Sequence, residues 1–268
     1  MSDIPTSQGD PAGVAFTGVG TPYASLRAVL PTLKAGTVTL LASWTTIGKT
    51  ALAVDMARHA ALSEVPTLYL SGHETRESLM VRMLAATAGV DNTVLDERPV
   101  EAEAMKRVKA SRGVLSSMPF TIGTKVSGPM SWAVDHAKAQ NPHLLVLDDL
   151  DSLTDPEDLQ DGELAKYGVM LSHLARTRQM SVLVLSQLNR VPSEEYGRPP
   201  RFADLGVRHP LAHACESVIL MHRPAFYDPE DRPLEVDLQV LTAEGEPRGT
   251  ATLGVLLARS QFVDLDAT

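Results

Sequence analysis

The segment that most constrains the fold of this chain spans residues 43–50 and reads Ser-Trp-Thr-Thr-Ile-Gly-Lys-Thr. It matches the phosphate-binding P-loop pattern, except that serine replaces the first glycine. An apolar run at 37–42 precedes it, and a helix-compatible stretch at 51–60 follows. Because the pattern is meaningful only between a strand and a helix, these neighbours favour a true P-loop over a chance Gly-Lys-Thr at a helix start.

A P-loop in this setting predicts a site for ATP and magnesium. Backbone N–H groups of the loop and the N-terminus of the following helix bind phosphate oxygens. Lys49 would place its ammonium group against the β- and γ-phosphates, and Thr50 would offer its hydroxyl to Mg²⁺. The predicted nucleotide-binding residues are the loop and the residue after it: Ser43, Trp44, Thr45, Thr46, Ile47, Gly48, Lys49, Thr50 and Ala51.

The rest of the chain alternates between apolar runs and helix-compatible stretches. Strands are expected at 65–71, 143–148 and 181–186, and helices at 23–30, 77–88, 99–110, 131–140 and 164–178. This alternation indicates an α/β fold with a mostly parallel sheet and helices on both faces. Further apolar runs at 218–221, 236–241 and 250–257 predict C-terminal antiparallel strands that extend the sheet.

Composition predicts one large domain behind a loose N-terminal segment. Residues 1–20 are rich in Gly, Pro, Ser and Thr, so we expect a flexible arm there and a single domain at 21–268. The only cysteine, Cys215, cannot form an internal disulfide, which favours a reducing compartment. Neither a membrane span nor a signal-peptide pattern is present in the sequence, so we expect a cytoplasmic protein with no membrane partner.

Charge and aromatic content limit how the chain could bind nucleic acid. The formal net charge of −9 argues against a surface that binds DNA all over, because phosphate neutralisation drives non-specific binding. Aromatic residues make up 4% of the chain, so base stacking would rely on a handful of them. The most basic loop region holds Arg190, Arg198, Arg201 and Arg208. Contact with single-stranded DNA and an ordinary solvated loop are about equally supported there.

An acidic corner follows the apolar run at 143–148. Asp148 is the expected magnesium partner, because P-loop ATPases hold the metal with the loop hydroxyl and an aspartate at a strand end. A turn or N-cap aspartate is the alternative, and the upstream P-loop favours the metal role. Asp149 and Asp151 offer further metal ligands, but a solvated loop is the expectation for them.

Two more polar residues follow predicted strands whose carboxyl ends would meet at the edge that carries the P-loop. Glu74 could orient and deprotonate the water that attacks ATP, with a helix-start glutamate as the alternative. Gln187 could contact the γ-phosphate and transmit its loss to the following loop, or cap the strand end. The predicted catalytic set is therefore Glu74, Lys49 and Gln187.

Taken in order, these motifs resemble the C-terminal ATPase domain of DnaB-type replicative helicases, which has a RecA-like P-loop fold. The resemblance covers about residues 17–265, and the string Ser-Gln-Leu-Asn-Arg at 186–190 is its most specific piece. The other matching pieces lie at 23–36, 43–50, 70–74 with 80–82, 145–150, 164–178, 204–223 and 247–250.

The resemblance carries expectations about roles and assembly. It implies that Glu74 is the catalytic glutamate and that Gln187 is the phosphate sensor. It also implies an ATP-driven, helicase-type motor that acts on DNA in replication or recombination. The expected assembly is a homo-oligomer, with a hexameric ring as one form.

The main departure from the family concerns an arginine finger. The family carries a Lys-x-Arg pair that reaches the ATP of the neighbouring subunit, and the corresponding residues here are Thr242, Ala243 and Glu244. A glutamate would repel the charge that develops on the phosphates. Arg248 and Arg223 are candidate substitutes, although strand geometry puts Arg248 several residues away.

A second departure is the stretch at 206–210, which reads Gly-Val-Arg-His-Pro where the family has an acidic loop. The missing finger and the acidic surface favour an alternative function, in which the chain is an ATP-binding regulator or ring-capping subunit with weak hydrolysis. A recombinase-type relative is a third alternative, which the 186–190 string disfavours.

Overall fold

The computed structural model describes residues 15–96, 101–124, 130–154, 161–189 and 193–265. The strands in these residues are β1 (Gly18–Gly20), β2 (Thr32–Lys34), β3 (Val38–Ser43), β4 (Thr67–Ser71), β5 (Phe120–Thr124), β6 (Leu144–Asp148), β7 (Ser181–Gln187), β8 (Ser217–His222), β9 (Glu235–Leu241), β10 (Pro247–Leu256) and β11 (Gln261–Asp264). The helices are α1 (Ala24–Val29), α2 (Lys49–Leu62), α3 (Arg76–Ala88), α4 (Asn92–Asp96), α5 (Ala102–Ser117), α6 (Met130–Gln140), α7 (Leu150–Leu153), α8 (Asp161–Arg178) and α9 (His209–Ala212).

The main sheet has the strand order β11-β10-β9-β8-β3-β7-β6-β4-β5. The strands from β8 to β5 in this order run parallel, and β9, β10 and β11 continue the sheet antiparallel. The register sets Ser43 opposite Gln187 and Ser71 opposite Asp148. The carboxyl ends of β3, β7, β4 and β6 therefore lie at one edge, and the predicted fold class is confirmed.

Two apolar cores cover the two faces of this sheet. Leu41 of β3 packs into the core formed with α2, whereas its neighbour Leu40 packs into the core formed with α8. Because both faces are covered, β3, β4 and β6 are buried at every position. This burial explains why these strands read as continuous apolar runs in the sequence.

A buried carboxylate ties the N-terminal and C-terminal segments to α2. Asp55 is fully buried, accepts a hydrogen bond from the Tyr23 hydroxyl at 2.7 Å and from the Phe262 backbone at 2.9 Å, and pairs with Arg58 at 2.5 Å. A buried charge of this kind is tolerated because every oxygen has a donor. Asp55 thereby positions α2, which follows the predicted P-loop.

The helix expected at 99–110 differs from the structure at both ends. Helix α5 begins at Ala102 and continues to Ser117, while Pro99 lies outside the described residues. Its buried residues are Ala104, Val108, Ser111 and Leu115. Their spacing continues a helical face past residue 110, which is why the helix runs on.

Strands β5 and β11 were not expected from the sequence. β5 lies at one edge of the sheet and pairs with β4 alone, and β11 lies at the other edge and pairs with β10. Each has only four or five residues, too few to show a clear pattern. Pairing with a neighbour, rather than intrinsic preference, decides such strands.

The N-terminal boundary of the domain lies earlier than predicted. Residues of the expected arm form β1, which pairs with β2, and Phe16 stacks on His143 with ring centroids 4.2 Å apart. Residues 15–20 thus belong to the folded unit, and the remainder of the predicted arm, 1–14, lies outside the described residues. Within the described helices, none is long and apolar enough to span a bilayer.

Candidate nucleotide site

The predicted P-loop connects the end of β3 to the start of α2. Gly48 has a φ of 119°, a left-handed conformation that favours glycine. A Cβ added at this position would lie 3.2 Å from the Leu257 side chain. Helix α2 starts at the next residue, Lys49, so its first backbone N–H groups face the loop. Ser43 and Ile47 are fully buried, and neither is among the residues that line the cavity beside the loop.

Lys49 folds back over the loop. Its ammonium group donates to the Ser43 carbonyl and hydroxyl at 3.3 Å and to the Trp44 carbonyl at 3.4 Å. Burial lowers the pKa of Lys49, and the carboxylates of Asp149 and Asp148 oppose that shift. The lysine is thus held at the loop by contacts that an anionic ligand could replace.

Asp148 contacts the P-loop hydroxyl directly. The Thr50 hydroxyl donates to Asp148 Oδ1 at 3.1 Å, and the Tyr69 hydroxyl donates to Oδ2 at 2.6 Å. Burial raises the pKa of Asp148 to about 6, despite the hydrogen bond from Tyr69. The two residues predicted to hold magnesium are therefore adjacent, and both offer oxygen ligands.

Glu74 lies at the same edge but is engaged by an arginine. Arg82 of α3 donates to both carboxylate oxygens, at 2.8 and 3.0 Å, and the Ser78 hydroxyl donates at 2.6 Å. Burial would raise the pKa of Glu74, but the hydrogen bonds from Arg82 and Ser78 outweigh it and hold the pKa below its usual value. Sequence reasoning gave Arg82 no role, although it lies eight residues from Glu74.

Gln187 reaches the loop from the end of β7. Its amide Nε2 donates to the Thr45 hydroxyl at 2.5 Å, and its backbone N–H donates to Asp151 at 3.1 Å. A residue whose side chain touches the loop and whose backbone touches α7 can respond to a ligand between them. The alternative of a simple strand-end cap does not account for the contact with Thr45.

One cavity of about 430 Å³ collects most of these residues. Three of the lining residues were not singled out by sequence reasoning: His73, Arg82 and Leu257. The others are Thr45, Thr46, Gly48, Lys49, Thr50, Ala51, Glu74, Asp149 and Gln187. A cavity of this size is typical of small-ligand sites. Leu257, in the connection between β10 and β11, joins the cavity beside Gly48, a contact that no local pattern reveals.

The acidic corner is not a solvated loop. Asp149 is the N-cap of α7, where it and Ser152 form a capping box. Asp151 lies within α7 and pairs with Arg208, which also donates to Asn189 at 2.9 Å. Within the described residues, no group of three or more His, Cys, Asp or Glu side chains could hold a metal ion. Both carboxylates are engaged in holding the edge of the sheet.

The basic loop is largely neutralised by its own carboxylates. Arg198 pairs with Asp204 at 2.7 Å and with Glu195 at 2.5 Å, and Arg208 pairs with Asp151. Arg201 is exposed and forms no salt bridge with any residue that the structure describes. Arg190 lies outside the described residues. Among the described residues, fewer arginines are therefore free to contact DNA than the sequence suggested.

The turn between β9 and β10 carries Thr242 and Glu244, which the resemblance matches to the family's Lys-x-Arg pair. Glu244 is exposed at this turn, and its N–H donates to the Thr242 hydroxyl at 3.2 Å. Arg248 is close by, but it donates to the Ser217 hydroxyl at 2.8 Å and to the Glu216 carbonyl at 3.0 Å. Arg223 lies over the Phe226 ring, with its Cζ 5.8 Å from the centroid.

The sheet order and the loop at the end of β3 define a RecA-like α/β fold. The model of the DnaB-like helicase C-terminal domain family matches residues 18–263, and the chain belongs to this family. The replicative DNA helicase DnaB of Leifsonia xyli is 27% identical over 261 residues, which cover 94% of this chain and 57% of that protein. The chain thus spans little more than half the length of this relative.

Solved structures support the same fold. A DnaB-like replicative helicase, solved in a study of its interactions with primase, superimposes with a TM-score of 0.83 at 20% identity, covering 95% of this chain and 63% of that one. The RadB recombinase gives a TM-score of 0.58 at 17% identity, covering 92% and 99%. Both superpositions agree with the RecA-like strand order of this chain.

Proposed function

We propose that this chain binds ATP with Mg²⁺ and hydrolyses it, and that it acts on DNA as a helicase-type motor in replication or recombination. The observation that carries this proposal is the meeting of five predicted residues at one sheet edge: Lys49, Thr50, Glu74, Asp148 and Gln187. Their neighbours in the fold supply a cavity of suitable size. Curated relatives are named as replicative DNA helicases, which supports the same activity here.

The residues present fit a magnesium ion. Mg²⁺ prefers oxygen ligands and commonly keeps several waters beside one or two protein groups and the phosphates. The Thr50 hydroxyl and the Asp148 carboxylate, 3.1 Å apart, are such a pair. A bound ion would neutralise charge on the phosphates, and Lys49 would add its own positive charge beside it.

Glu74 is the proposed base, and its contacts with Arg82 weaken it. Two hydrogen bonds from Arg82 and one from Ser78 lie on the carboxylate and lower its pKa, so release of Arg82 would make Glu74 a stronger base. A γ-phosphate in the shared cavity offers Arg82 an alternative partner. Nucleotide binding and activation of Glu74 would then be coupled.

A second candidate function is a weakly hydrolysing ATP-binding regulator or ring-capping subunit. The exposed Glu244 at the β9–β10 turn favours it, because an acidic group there would oppose phosphate charge on a neighbour. The hydrogen bonds that Arg248 donates to Ser217 and Glu216 also favour the regulator, because they hold this candidate finger within its own chain. In either function we propose a cytoplasmic homo-oligomer, with a hexameric ring as one form.

One measurement separates the two candidates. The ATPase rate is followed against protein concentration, with and without single-stranded DNA. A motor gives a rate per chain that rises with concentration and with DNA, because neighbouring subunits complete the sites. A regulator gives slow turnover that changes with neither protein concentration nor DNA. If calorimetry detects no binding of MgATP, both candidate functions are contradicted.

A further inference from the structure

The stretch at 206–210, which departs from the family pattern, contains an arginine that is nearly buried. The Arg208 side chain is 11% exposed and pairs with Asp151 of α7. Its Nη1 also donates to the Asn189 side-chain oxygen at 2.9 Å. Arg208 Nε is buried and has no acceptor among the described residues. Since a buried N–H group without a partner is unfavourable, the contacts with Asp151 and Asn189 decide where the guanidinium lies.

Asp151 connects Arg208 to the end of β7. One carboxylate oxygen, Oδ1, accepts a hydrogen bond from the Arg208 guanidinium. The other oxygen, Oδ2, accepts from the backbone N–H of Gln187 at 3.1 Å. The Gln187 amide in turn donates to the Thr45 hydroxyl of the P-loop at 2.5 Å. Arg208 is therefore joined to the P-loop through a continuous series of hydrogen bonds.

A second connection to the P-loop runs through Asn189. Its side-chain oxygen accepts from Arg208, while its backbone carbonyl accepts from the indole N–H of Trp44 at 2.8 Å. One guanidinium thus holds the end of β7 at two residues, Gln187 and Asn189, and each of them contacts a different P-loop side chain. The planar fork of arginine suits this task, because it donates in fixed directions to two acceptors at once.

We propose that Arg208 is a positioning residue for the nucleotide site. Arg208 and Asp151 both belong to the part of the chain that the structure describes, and both lie outside the lining of the nucleotide cavity. Arg208 therefore acts through its neighbours: it fixes the end of β7 and thereby holds the Gln187 amide at the P-loop. This inference rests on the function proposed above, in which Gln187 serves ATP hydrolysis.

The test is a double-mutant cycle on ATP turnover. Arg208→Ala should lower kcat roughly 10- to 100-fold, up to the scale of a misplacement of about 1 Å at the reacting groups, while KM for MgATP changes far less. Arg208→Ala combined with Gln187→Ala should match Gln187→Ala alone within about twofold, because the two residues act as one unit. Arg208→Lys keeps the charge but loses the fork, so its kcat should be intermediate. It replaces Arg208→Ala in the cycle if thermal unfolding shows that Arg208→Ala does not fold.

A role in stability alone gives a different result. In that case the loss of Arg208 lowers kcat by the same factor whether or not Gln187 is present. Arg232→Ala is the matched control, because Arg232 also pairs with an aspartate, Asp237, at 2.7 Å and lies outside the nucleotide cavity. The control should keep the kcat and KM of the parent. Additive losses in the cycle, or an unchanged kcat in Arg208→Ala, overturn the proposal.

A measurement without nucleotide separates this proposal from the function on which it rests. The chain has two tryptophans, so the Trp132→Phe background leaves Trp44 as the single reporter. Loss of Arg208 should increase acrylamide quenching of Trp44, because Asn189 is released. If the parent neither binds nor hydrolyses MgATP but the quenching increases, the proposed function is wrong and the hold of Arg208 on the end of β7 stands. Unchanged quenching shows that Arg208 does not hold this segment and overturns the proposal.

Discussion

The carboxyl edge of the parallel strands and the turn between β9 and β10 show opposite relations to the family pattern. At the edge, most of the loop lines one cavity together with Glu74 and Gln187, and the strand-end Asp148 accepts a hydrogen bond from the Thr50 hydroxyl. At the turn, Thr242 and Glu244 stand where the resemblance places the family's two cations, and the nearby Arg248 is bound to Ser217 and Glu216. Under the proposed function, the edge of the sheet provides the nucleotide site and the turn presents an acidic group to a neighbouring subunit.

Under the same proposal, nucleotide binding and turnover depend on separate parts of one fold. The edge is assembled by strand register, since Ser43 lies opposite Gln187 and Ser71 opposite Asp148. Register constrains these residues because a shift would disrupt the buried sheet. The turn is exposed, and substitutions there leave the core intact.

The largest expected effect comes from Glu74→Gln. An amide keeps the shape of the side chain but cannot accept a proton, so we expect turnover to fall roughly 10²–10⁴-fold while MgATP affinity is kept. Steady-state ATPase rates and calorimetry measure the two quantities. Glu77→Gln, at an exposed glutamate in the first turn of the following helix α3, is the control. Unchanged turnover in Glu74→Gln would show that another group is the base, and Asp149 would be tested next.

Lys49→Ala tests the phosphate side of the edge. Loss of a positive charge beside the phosphates should reduce MgATP affinity or turnover by about 10²–10³-fold, without unfolding the chain. Calorimetry and the thermal midpoint report the two effects, and Lys166→Ala, 71% exposed on α8, serves as the control. Equal MgATP affinity in the variant and the parent would show that the P-loop assignment is wrong.

Repair of the turn tests the other side of the contrast. Restoring the pair as Thr242→Lys with Glu244→Arg should raise turnover of the assembled protein about tenfold or more, since native fingers contribute on the order of 10³–10⁵. Glu246→Arg adds a charge at the same turn and controls for charge alone. A brisk parent rate that collapses in Arg248→Ala or Arg223→Ala would instead show that one of those arginines already acts. A brisk rate that survives both changes would remove the need for a cation from a neighbour.

The smallest effect concerns pH and Asp148. Burial raises its pKa from 3.8 to about 6, so the folded state holds more protons than the unfolded state between these values. The free energy that Asp148 adds to the stability of the folded state is therefore fully present below pH 3.8 and is lost as the pH rises through about 6.

Asp148→Asn does not titrate, so relative to the parent it should gain on the order of 1 kcal/mol of unfolding free energy between about pH 5 and 7.5. Urea unfolding at the two pH values measures this difference, with the exposed Asp135→Asn as control. A difference that stays constant with pH would mean that Asp148 has an ordinary pKa.

The fold class and the loop were predictable from sequence because both depend on local patterns. Apolar runs predicted β3, β4, β6 and β7, and each is buried on both faces. Edge strands β5 and β11 were missed, since half-exposed strands have weaker patterns. The catalytic roles assigned to Glu74 and Gln187 remain predictions, although the structure brings both to the cavity.

Sequence by itself therefore determined the strand–loop–helix at 37–60 and the residue types at the strand ends, because spacing and hydrophobic period are local properties. Only the tertiary structure decided which charged groups are already paired: Glu74 with Arg82, Arg198 with Asp204, and Asp151 with Arg208. It also brought Trp44 beside Tyr227. These partners lie on different elements, so their contacts depend on how the elements pack, which no local pattern specifies.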